Sequence, residues 1–549
     1  MATSHSEARA AASLRKDEPA PPFRRVLIAN RGEIAVRIIR ACRELGMESV
    51  AVYSDADADA AHCRLADRAV RLGPPAPSES YLRIDRIVSA ALETGCEAIH
   101  PGYGFLAERA AFARAVETAG LVFVGPPSAS IDALGDKLHA RRIARLVGVE
   151  VVPGTLEPAP LDRPDLLAAI VDEAERIGFP LLVKAAAGGG GRGMRRVASA
   201  ADLPAALVSG SHEAASAFGD GAVYLERQIS PARHIEVQLL GDVTGQVIAI
   251  GERDCSLQRR YQKLLEEAPA PGLSVDDRRR LHELAVRVAT AAGLRNAATA
   301  EFLLAPDGAF YFLEVNTRLQ VEHGVTELVS GLDIVHEQFF LAAGRPLSAM
   351  ALEVAARAAE PMGHAIEVRL SAEDPGRNFA PTPGRIRRFT MPSGPGVRVD
   401  TAIAAGDRVP SEYDNLIAKV MVHAGDRDLA IDRLRRALDE AEVAGIQTTL
   451  PFHRFVARDA SFRAADLSTG WVGEHWDGAA AYREAAARGM QAVGLAARPD
   501  SAVGSVTQGW AGVLGPAVKP PAGGAPDGAQ KDGRWRQAGL ETALDRWPR

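Results

Sequence analysis

Short apolar runs that favour strands alternate with helix-period segments along the first 130 residues, beginning at residues 25–29. Because strand-helix-strand units place their strands side by side and in the same direction, this pattern predicts a parallel α/β domain. The first turn has no Gly-x-Gly-x-x-Gly sequence, so a dinucleotide fingerprint is not offered. The later strand-type runs are 50–53, 98–104 and 121–125, and the apolar helix positions after the first strand are Ile34, Ile38, Cys42 and Leu45.

After this domain the pattern is mixed. Asp136-Lys137 is a helix-start sequence that leads into a second domain. The segment from about 152 to 228 has Pro153-Gly154 at its entrance and a glycine run in its middle, so it predicts a hinged lid. Strands and helices continue to about residue 470. The composition then shifts to Ala, Gly and Pro, with a low-complexity linker at 515–533.

Composition narrows the class of protein. A chain of 549 residues is long enough for about three domains, and 47% hydrophobic with 24% charged residues is ordinary for a soluble globular protein. A net charge of −6 gives no reason to expect nucleic acid or an anionic membrane as a partner, and no apolar run approaches the ~20 residues of a membrane span. The four cysteines form no Cys-x-x-Cys pair, which argues against a zinc site or a disulfide framework and fits the reducing cytoplasm.

Lysine is rare in this chain. Only seven of the 64 Lys and Arg residues are lysines. Lysine offers a compact point charge on a flexible stem, so a lysine in an arginine-rich chain is a candidate for a specific electrostatic task, although seven residues are also compatible with chance. The seven are Lys16, Lys137, Lys184, Lys263, Lys419, Lys519 and Lys531.

The first candidate site is a strand that ends in Lys184 and is followed by Gly188, Gly189, Gly190 and Gly191. Glycines let backbone N–H groups approach anionic oxygens and the lysine supplies the countercharge, so the segment predicts phosphate binding. A flexible surface turn is the alternative. No lysine follows the glycines as a P-loop requires, so that class of nucleotide site is disfavoured.

The second candidate site is a hairpin around Asp307-Gly308, a strong two-residue turn sequence. With the turn centred there, Glu301 directly faces Glu314, and Asn316 lies on the same face. Like charges across a ladder are destabilising unless a cation lies between them. Carboxylate and amide oxygens suit Mg²⁺ when phosphates complete its shell, so the three residues predict a metal-nucleotide site, with two solvated carboxylates as the alternative.

More charged residues follow this hairpin. Arg318 offers a planar fork suited to a planar oxyanion, and Glu322 is a candidate general base. Lys263 belongs to a cationic cluster within residues 258–269, a run that on its own is typical of a solvated surface.

Seven segments between roughly residues 24 and 470 carry a further signal. They are ANRGEIAVRIIRACRELG from Ala29, HPGYGFLAE from His100, GDK ending at Lys137, KAAAGGGGRGM from Lys184, ERDCSLQRRYQKLLEEAPAP from Glu252, EVNTRLQVEH from Glu314 and EVRLSAEDP from Glu367. These segments resemble motifs of the biotin carboxylase family, in family order. The resemblance implies an α/β ATP-grasp fold with a Rossmann-like N-terminal domain, a mobile glycine-rich lid and a C-terminal α+β domain.

The resemblance also implies the role of each site residue. Glu322 would deprotonate bicarbonate, and Arg369 would stabilise the biotin enolate. Bicarbonate would be held by Arg318, Gln320, Val321 and Lys263. The ATP phosphates would bind to Lys137 and Lys184, with the glycines at 188–191 closing over the nucleotide. The other implied positions are Glu226 for the adenine amino group with Ile229 and Leu303 nearby, His234, Glu236 and Gln258 on the nucleotide and ribose side, and Glu301, Glu314 and Asn316 for Mg²⁺ or Mn²⁺.

The implied activity is ATP-dependent carboxylation of biotin from bicarbonate through carboxyphosphate, as the first half-reaction of an acyl-CoA carboxylase. The sequence has no Met-Lys-Met, the setting in which family members carry biotin, so we expect biotin on a separate carrier protein. Further expectations are a homodimer or larger complex and a partner carboxyltransferase subunit. The implied domains are a disordered arm at 1–23, the N-terminal domain at 24–137, the ATP-grasp domain at 138–346 including the lid at 152–228, the C-terminal domain at 347–470, and a linker and tail at 471–549.

Two alternatives remain open. Another ATP-grasp carbon–nitrogen ligase would share the ATP-binding residues but not Arg318, Glu322 and Arg369 in these contexts. A catalytically silent scaffold protein should have lost a charged site residue, and this chain has lost none.

The chain departs from the commonest family pattern at Ala187, Tyr261 and Gly324. Tyr261 stands where many members carry His, which puts a ribose or phosphate contact in doubt. Gly324 stands where Pro is usual, which would loosen the loop that bears Glu322. In the tail, Trp535, Leu540, Leu544 and Trp547 have roughly helical spacing, which suits either a partner-docking segment or packing on the chain itself.

Overall fold

The computed structural model describes residues 21–159, 167–186 and 194–478. Its first part is an α/β unit composed of β1 (Arg25–Ile28), α1 (Gly32–Glu44), β2 (Glu48–Ser54), α2 (Ala61–Leu65), β3 (Arg68–Gly73), α3 (Ile84–Glu93), β4 (Ala98–His100), α4 (Ala110–Thr118), β5 (Val122–Phe123) and α5 (Ser128–Gly135). The strands form a parallel sheet in the order β3-β2-β1-β4-β5, as the alternating pattern predicts. Strand residues such as Val26 and Ile99 are fully buried, because helices cover the sheet.

A helix and a small separate sheet follow. The elements are α6 (Lys137–Leu146), α7 (Leu167–Ile177), β6 (Leu181–Ala185), β7 (Arg195–Val197), α8 (Leu203–Phe218) and β8 (Val223–Arg227). Asp136 caps α6 by accepting a hydrogen bond from the His139 N–H, as the helix-start sequence predicts. The three strands form an antiparallel sheet in the order β7-β6-β8, and Lys184 lies on its central strand. The glycines 188–191 lie outside the described residues, as do residues 1–20 and 479–549. Residues 471–478, predicted as the start of the linker and tail, are described, and Trp471 is buried in the C-terminal apolar cluster.

The remainder of the described chain is built around a large antiparallel sheet. Its elements are β9 (Arg233–Gly241), β10 (Val247–Arg259), β11 (Gln262–Ala268), α9 (Val275–Ala291), β12 (Asn296–Leu304), β13 (Phe310–Asn316), α10 (His323–Ser330), α11 (Ile334–Ala342), α12 (Ala349–Ala356), β14 (His364–Ser371), β15 (Glu373–Asp374), β16 (Ala380–Pro381), β17 (Gly384–Arg385), β18 (Arg388–Thr390), β19 (Val397–Thr401), β20 (Arg408–Val409), β21 (Leu416–Ala424), α13 (Arg427–Glu440), β22 (Glu442–Ala444), α14 (Leu450–Val456), α15 (Ala460–Arg463) and α16 (Trp471–His475). Eight of these strands pair in the order β13-β12-β9-β10-β11-β14-β21-β19.

The two faces of β14 and β21 differ in chemistry. One face packs on α13, where Ile366, Val420 and Leu434 belong to one buried apolar cluster. The opposite face carries charged residues, because side chains alternate along a strand. Arg369 on β14 is paired with Lys419 on β21, so the two cations lie side by side on that opposite face.

The β12–β13 hairpin has the predicted pairing of Glu301 with Glu314, but the predicted turn is wrong. The Ala305 N–H donates to Ala309 O, so Pro306-Asp307-Gly308 forms a three-residue loop, with Gly308 in the left-handed region at φ +86°. Leu313 is an extra residue on β13, and this bulge restores the pairing that a two-residue turn would have produced. The two register shifts cancel at Glu301.

Among the helices of the described ranges, none combines the length and apolar character that crossing a membrane requires.

Candidate active site

A partly buried lysine on β11, Lys263, is bound by three carboxylates from other parts of the fold. Its Nζ lies 2.5 Å from Glu236 Oε2, 2.7 Å from Glu322 Oε1 and 3.0 Å from Glu301 Oε1. Burial by itself lowers the pKa of an ammonium group, but these carboxylates hold the Lys263 pKa well above its usual value. Lys263 is therefore charged at neutral pH and is held within an ion-pair group, with only 12% of its side chain exposed, so it is not part of a solvated surface.

The Glu322 carboxylate lies between two cations just before α10. One oxygen accepts the hydrogen bond from Lys263, and the other accepts one from Arg369 Nη2 at 2.8 Å. Burial alone would raise the pKa of this fully buried carboxyl, but Lys263, Arg369 and Arg253 hold it well below its usual range. Glu322 is therefore ionised at neutral pH, and each of its oxygens keeps a second lone pair beyond the hydrogen bond that it accepts.

Two further carboxylates surround Arg369. Its Nε donates to Glu266 Oε1 at 2.6 Å. Burial raises the pKa of Glu266 to about 7, although Arg369 opposes the shift. Burial also raises the pKa of Glu367, whose two carboxylate oxygens have no hydrogen-bond partner among the described residues. Burial without a hydrogen-bond partner disfavours the charged form of Glu367, so we expect Glu367 to hold a proton.

Arg318 is fixed by groups from two parts of the fold. Its Nε lies 2.9 Å from Glu108 Oε2 in the N-terminal unit, Nη1 donates to Gln320 Oε1 at 2.7 Å, and Nη2 donates to Asn316 Oδ1 at 3.2 Å. Gln320 in turn lies 3.4 Å from Glu301. The sequence did not single out Glu108, which stands at the end of the segment 100–108.

The three candidate metal ligands lie along β12 and β13. Glu301 Oε2 is 3.2 Å from His234 Nε2 as well as near Lys263, whereas Glu314 forms an ion pair with Lys137. Asn316 is buried at the end of β13. Two carboxylates from paired strands and one amide oxygen form a hard-oxygen donor set, so these residues fit Mg²⁺.

The residues expected near the nucleotide form a second ion-pair group. Lys184 Nζ donates to Glu226 Oε2 at 2.6 Å, and Arg141, which the sequence did not single out, donates to the other oxygen at 2.5 Å. Burial and nearby Lys184 lower the pKa of Lys137 to about 8. Ile229 follows β8, and Leu303 lies on β12.

The positions expected on the ribose side lie beside the Lys263 group. Gln258 Nε2 is 3.4 Å from His234 Nδ1. Glu236 accepts hydrogen bonds from Lys263 and from the buried Arg253, at 2.5 Å in each case. Arg253 was not predicted as a site residue.

Comparison with known proteins identifies the family of the chain. The sequence matches three family descriptions, namely the biotin carboxylase N-terminal domain over residues 22–131, the ATP binding domain of the carbamoyl-phosphate synthase L chain over 136–350, and the biotin carboxylase C-terminal domain over 367–474. The chain belongs to the biotin carboxylase family. Its ATP-grasp fold is confirmed, and as a member of this family it is an ATP-dependent ligase that carboxylates biotin and uses ATP, Mg²⁺ and carrier-borne biotin.

Three similar proteins differ in the complete enzyme to which they belong. A pyruvate carboxylase subunit of Methanothermobacter thermautotrophicus is 47% identical over 82% of this chain and 90% of its own length. The biotin-dependent acyl-coenzyme A carboxylase alpha3 subunit of Mycobacterium leprae is 46% identical over 82% of this chain and 75% of its own. The solved biotin carboxylase domain dimer of Hydrogenobacter thermophilus 2-oxoglutarate carboxylase, in complex with magnesium ADP, ADP and bicarbonate, has a TM-score of 0.79 and 43% identity over 82% of this chain and 98% of its own.

The structure describes two of the three positions at which this chain departs from the commonest biotin carboxylase pattern, Tyr261 and Gly324. Tyr261 lies at the β10–β11 turn in the left-handed region, with 44% of its surface exposed. Gly324 lies in the buried first turn of α10, where a Cβ atom would come within 2.3 Å of Met421 Sδ. The space left by a missing side chain at 324 is thus filled by Met421. Ala187 lies outside the described residues.

Proposed function

We propose that this biotin carboxylase uses bicarbonate to carboxylate biotin on a separate carrier protein, as the first half-reaction of an acyl-CoA carboxylase. The observation that carries the proposal is the position of Glu322, whose two carboxylate oxygens contact Lys263 and Arg369 in a fully buried setting. A base next to two fixed cations suits a small anionic substrate that must lose a proton.

The proposed reaction begins with bicarbonate beside Lys263 and Arg318. Glu322 accepts the bicarbonate proton while a bicarbonate oxygen attacks the γ-phosphorus of ATP, which breaks the bond to ADP and forms carboxyphosphate. Carboxyphosphate then splits into CO₂ and phosphate. The released phosphate takes the proton from the biotin ureido nitrogen, and that nitrogen then forms its new bond to the carbon of CO₂. Arg369 would offset the charge that develops on biotin.

The remaining site residues have electrostatic roles in this proposal. Mg²⁺ held by Glu301, Glu314 and Asn316 would neutralise phosphoryl charge. Lys137 and Lys184 would bind the ATP phosphates and Glu226 the adenine amino group, which requires Lys184 and Glu226 to separate from the pair they form in this structure. Because the pKa of Lys137 is lowered by burial and by Lys184, an anionic ligand would favour its charged form.

The acyl-CoA assignment rests on the Mycobacterium leprae relative, whose name gives that context, and relatives with other acceptors exist at similar identity. We likewise propose that the chain forms a homodimer, because it is similar to the Hydrogenobacter thermophilus domain dimer.

One assay tests the carboxylation step. We expect the purified chain to cleave ATP only when both bicarbonate and biotin, free or on a carrier protein, are supplied, and to transfer labelled carbon from bicarbonate to the carrier. ATP cleavage that ignores bicarbonate would contradict the proposal. A tagged chain isolated from its own cells should retain a carboxyltransferase specific for an acyl-CoA, and retention of one specific for pyruvate would exclude the acyl-CoA assignment.

A further inference from the structure

One of the seven lysines, Lys419 on β21, has no part in the proposed chemistry but is fully buried. Its Nζ donates a 2.8 Å hydrogen bond to the backbone carbonyl of Val321, the residue before Glu322. The same ammonium lies 3.3 Å from Glu33 Oε1 and 3.7 Å from Asp400 Oδ2. A buried cation is costly unless it is paired, and these two acids satisfy that requirement.

The Lys419 contact involves Val321 and Glu322, the two adjacent residues that we propose to serve bicarbonate. Lys419 and Arg369 are directly paired across β21 and β14, so both side chains leave the sheet on the same face. Arg369 holds the Glu322 side chain at 2.8 Å, while Lys419 holds the carbonyl of the peptide that joins Val321 to Glu322. Arg369 thus holds Glu322 by its side chain, and the neighbouring Lys419 holds the peptide group that precedes Glu322.

The main-chain contact matters because the segment between β13 and α10 has weak backbone support. The backbone hydrogen bonds from His323 N to Gln320 O and from Val325 N to Glu322 O measure 3.4 Å and 3.3 Å, beyond the usual limit of about 3.2 Å, and the Gln320 carbonyl is held instead by the His323 ring nitrogen Nδ1 at 2.8 Å. Rotation of the Val321–Glu322 peptide would move the Glu322 Cα and reorient the groups around it.

We propose that Lys419 is a positioning residue for the bicarbonate site, acting through the Val321 carbonyl. This inference rests on the proposed roles of Val321 and Glu322. Its distinctive consequence is a defect in bicarbonate use that leaves ATP binding intact, because the Lys419 ammonium is held by Val321, Glu33 and Asp400, which have no proposed role in nucleotide binding.

The test compares Lys419→Met with Arg454→Met. Arg454 on α14 is another buried cation that holds backbone carbonyls, those of Leu438 and Ala441 at 3.0 Å and 2.9 Å, but in the apolar C-terminal core. Both substitutions remove a buried charge and keep an unbranched apolar stem. Thermal unfolding of both variants measures the loss of stability that each substitution causes.

We expect Lys419→Met to raise the KM for bicarbonate by about tenfold and to lower kcat, since a misplaced reactive group is costly, while the KM for ATP changes by less than about twofold. Arg454→Met should leave both KM values within about twofold of the wild type at a comparable loss of stability. Equal bicarbonate KM values in the two variants, or a parallel rise in both KM values of Lys419→Met, would overturn the proposal.

A second variant covers the case in which Lys419→Met does not fold. Lys419→Arg keeps the charge between Glu33 and Asp400 but cannot place its wider head where Nζ lies, so we expect a roughly threefold higher KM for bicarbonate at an unchanged KM for ATP. A bicarbonate KM equal to that of the wild type would again overturn the inference. Failure of the proposed function itself is distinguishable, because the wild-type chain would then show no bicarbonate dependence.

Discussion

Glu301 and Glu314 are direct cross-strand neighbours, yet their carboxylates face different lysines. Glu301 lies 3.0 Å from Lys263, and Glu314 is paired with Lys137. The cation that the paired acids require is therefore supplied twice, once from each side of the hairpin. A metal ion that binds both carboxylates must compete with these lysines, which makes the second carboxylate important for metal affinity.

Glu314→Gln should raise the Mg²⁺ concentration for half-maximal ATP cleavage by about tenfold, because one anionic ligand is lost and Lys137 loses its partner. Titration of activity with Mg²⁺ measures the shift. Asp307→Asn is the matched control, since it removes the same charge from the exposed turn of the same hairpin. An identical Mg²⁺ requirement in both variants would remove Glu314 from the proposed metal site.

Glu322→Gln should reduce bicarbonate-dependent ATP cleavage by at least about a hundredfold, because the substitution keeps the shape but removes the base. ATP affinity, measured by nucleotide titration, should stay close to that of the wild type. Glu322→Asp keeps a carboxylate but withdraws it from Lys263 and Arg369, so we expect intermediate activity. ATP cleavage by Glu322→Gln at the wild-type rate would contradict the assignment of Glu322 as the base.

Lys263→Ala and Lys184→Ala should separate the two halves of the site. The first is expected to impair bicarbonate use more than nucleotide affinity, because Lys263 lies against Glu322, whereas the second should mainly weaken ATP binding. Separate KM values for bicarbonate and ATP distinguish the two patterns. Loss of ATP binding in Lys263→Ala equal to its loss of bicarbonate use would assign Lys263 to the phosphates instead.

Glu267 makes stability depend on acid pH. Burial disfavours this carboxylate, but hydrogen bonds from His364 and Arg427, each at 2.7 Å, lower its pKa to about 2. Because the folded pKa lies below the unfolded value of 4.5, the stabilisation is fully present above pH 4.5 and is lost as the pH falls toward 2, with an upper limit of about 3 kcal/mol.

Urea unfolding of the wild type and Glu267→Gln tests this linkage. The difference in unfolding free energy should be constant from pH 6 to 7 and should narrow below about pH 4.5. A difference that does not change with pH would show that Glu267 titrates at the same pH in the folded and unfolded chain.

The chain beyond residue 478 should be dispensable for carboxylation of free biotin. Trp476 packs on Phe452 and donates to Pro375 O, so a truncation should follow residue 478 and leave this contact in place. We expect the truncated chain to keep its activity and its thermal unfolding temperature. Mass spectrometry of the full chain should find no biotin on Lys519 or Lys531. An inactive truncation, or biotin on either lysine, would contradict these expectations.

The sequence predicted groups whose chemistry is local, and it missed groups defined by distant contacts. The pairing of Glu301 with Glu314 was correct although its stated cause was wrong, because the three-residue loop and the bulge at Leu313 are opposite register changes that periodicity does not reveal. The parallel N-terminal sheet followed from alternating apolar runs alone.

Three residues of the site contact partners that lie far away in the sequence, namely Glu108, Arg253 and Lys419. Glu108 contacts Arg318 from a distant part of the sequence, and Arg253 is surrounded by Glu236, Gln238 and Thr326. No local pattern announces such contacts. For Lys419 a signal did exist in the scarcity of lysine, but scarcity alone assigns no role without the Val321 contact.

The contact between Gly324 and Met421 makes the side-chain volumes at these two positions depend on each other. A Cβ atom at 324 would meet the Met421 sulfur at 2.3 Å, so any larger residue there requires the Met421 side chain to move or to be replaced by a smaller one. Shrinking Met421 alone would leave a cavity beside α10. We therefore expect a change at either position alone to cost stability next to Glu322, and a compensating pair of changes to cost less.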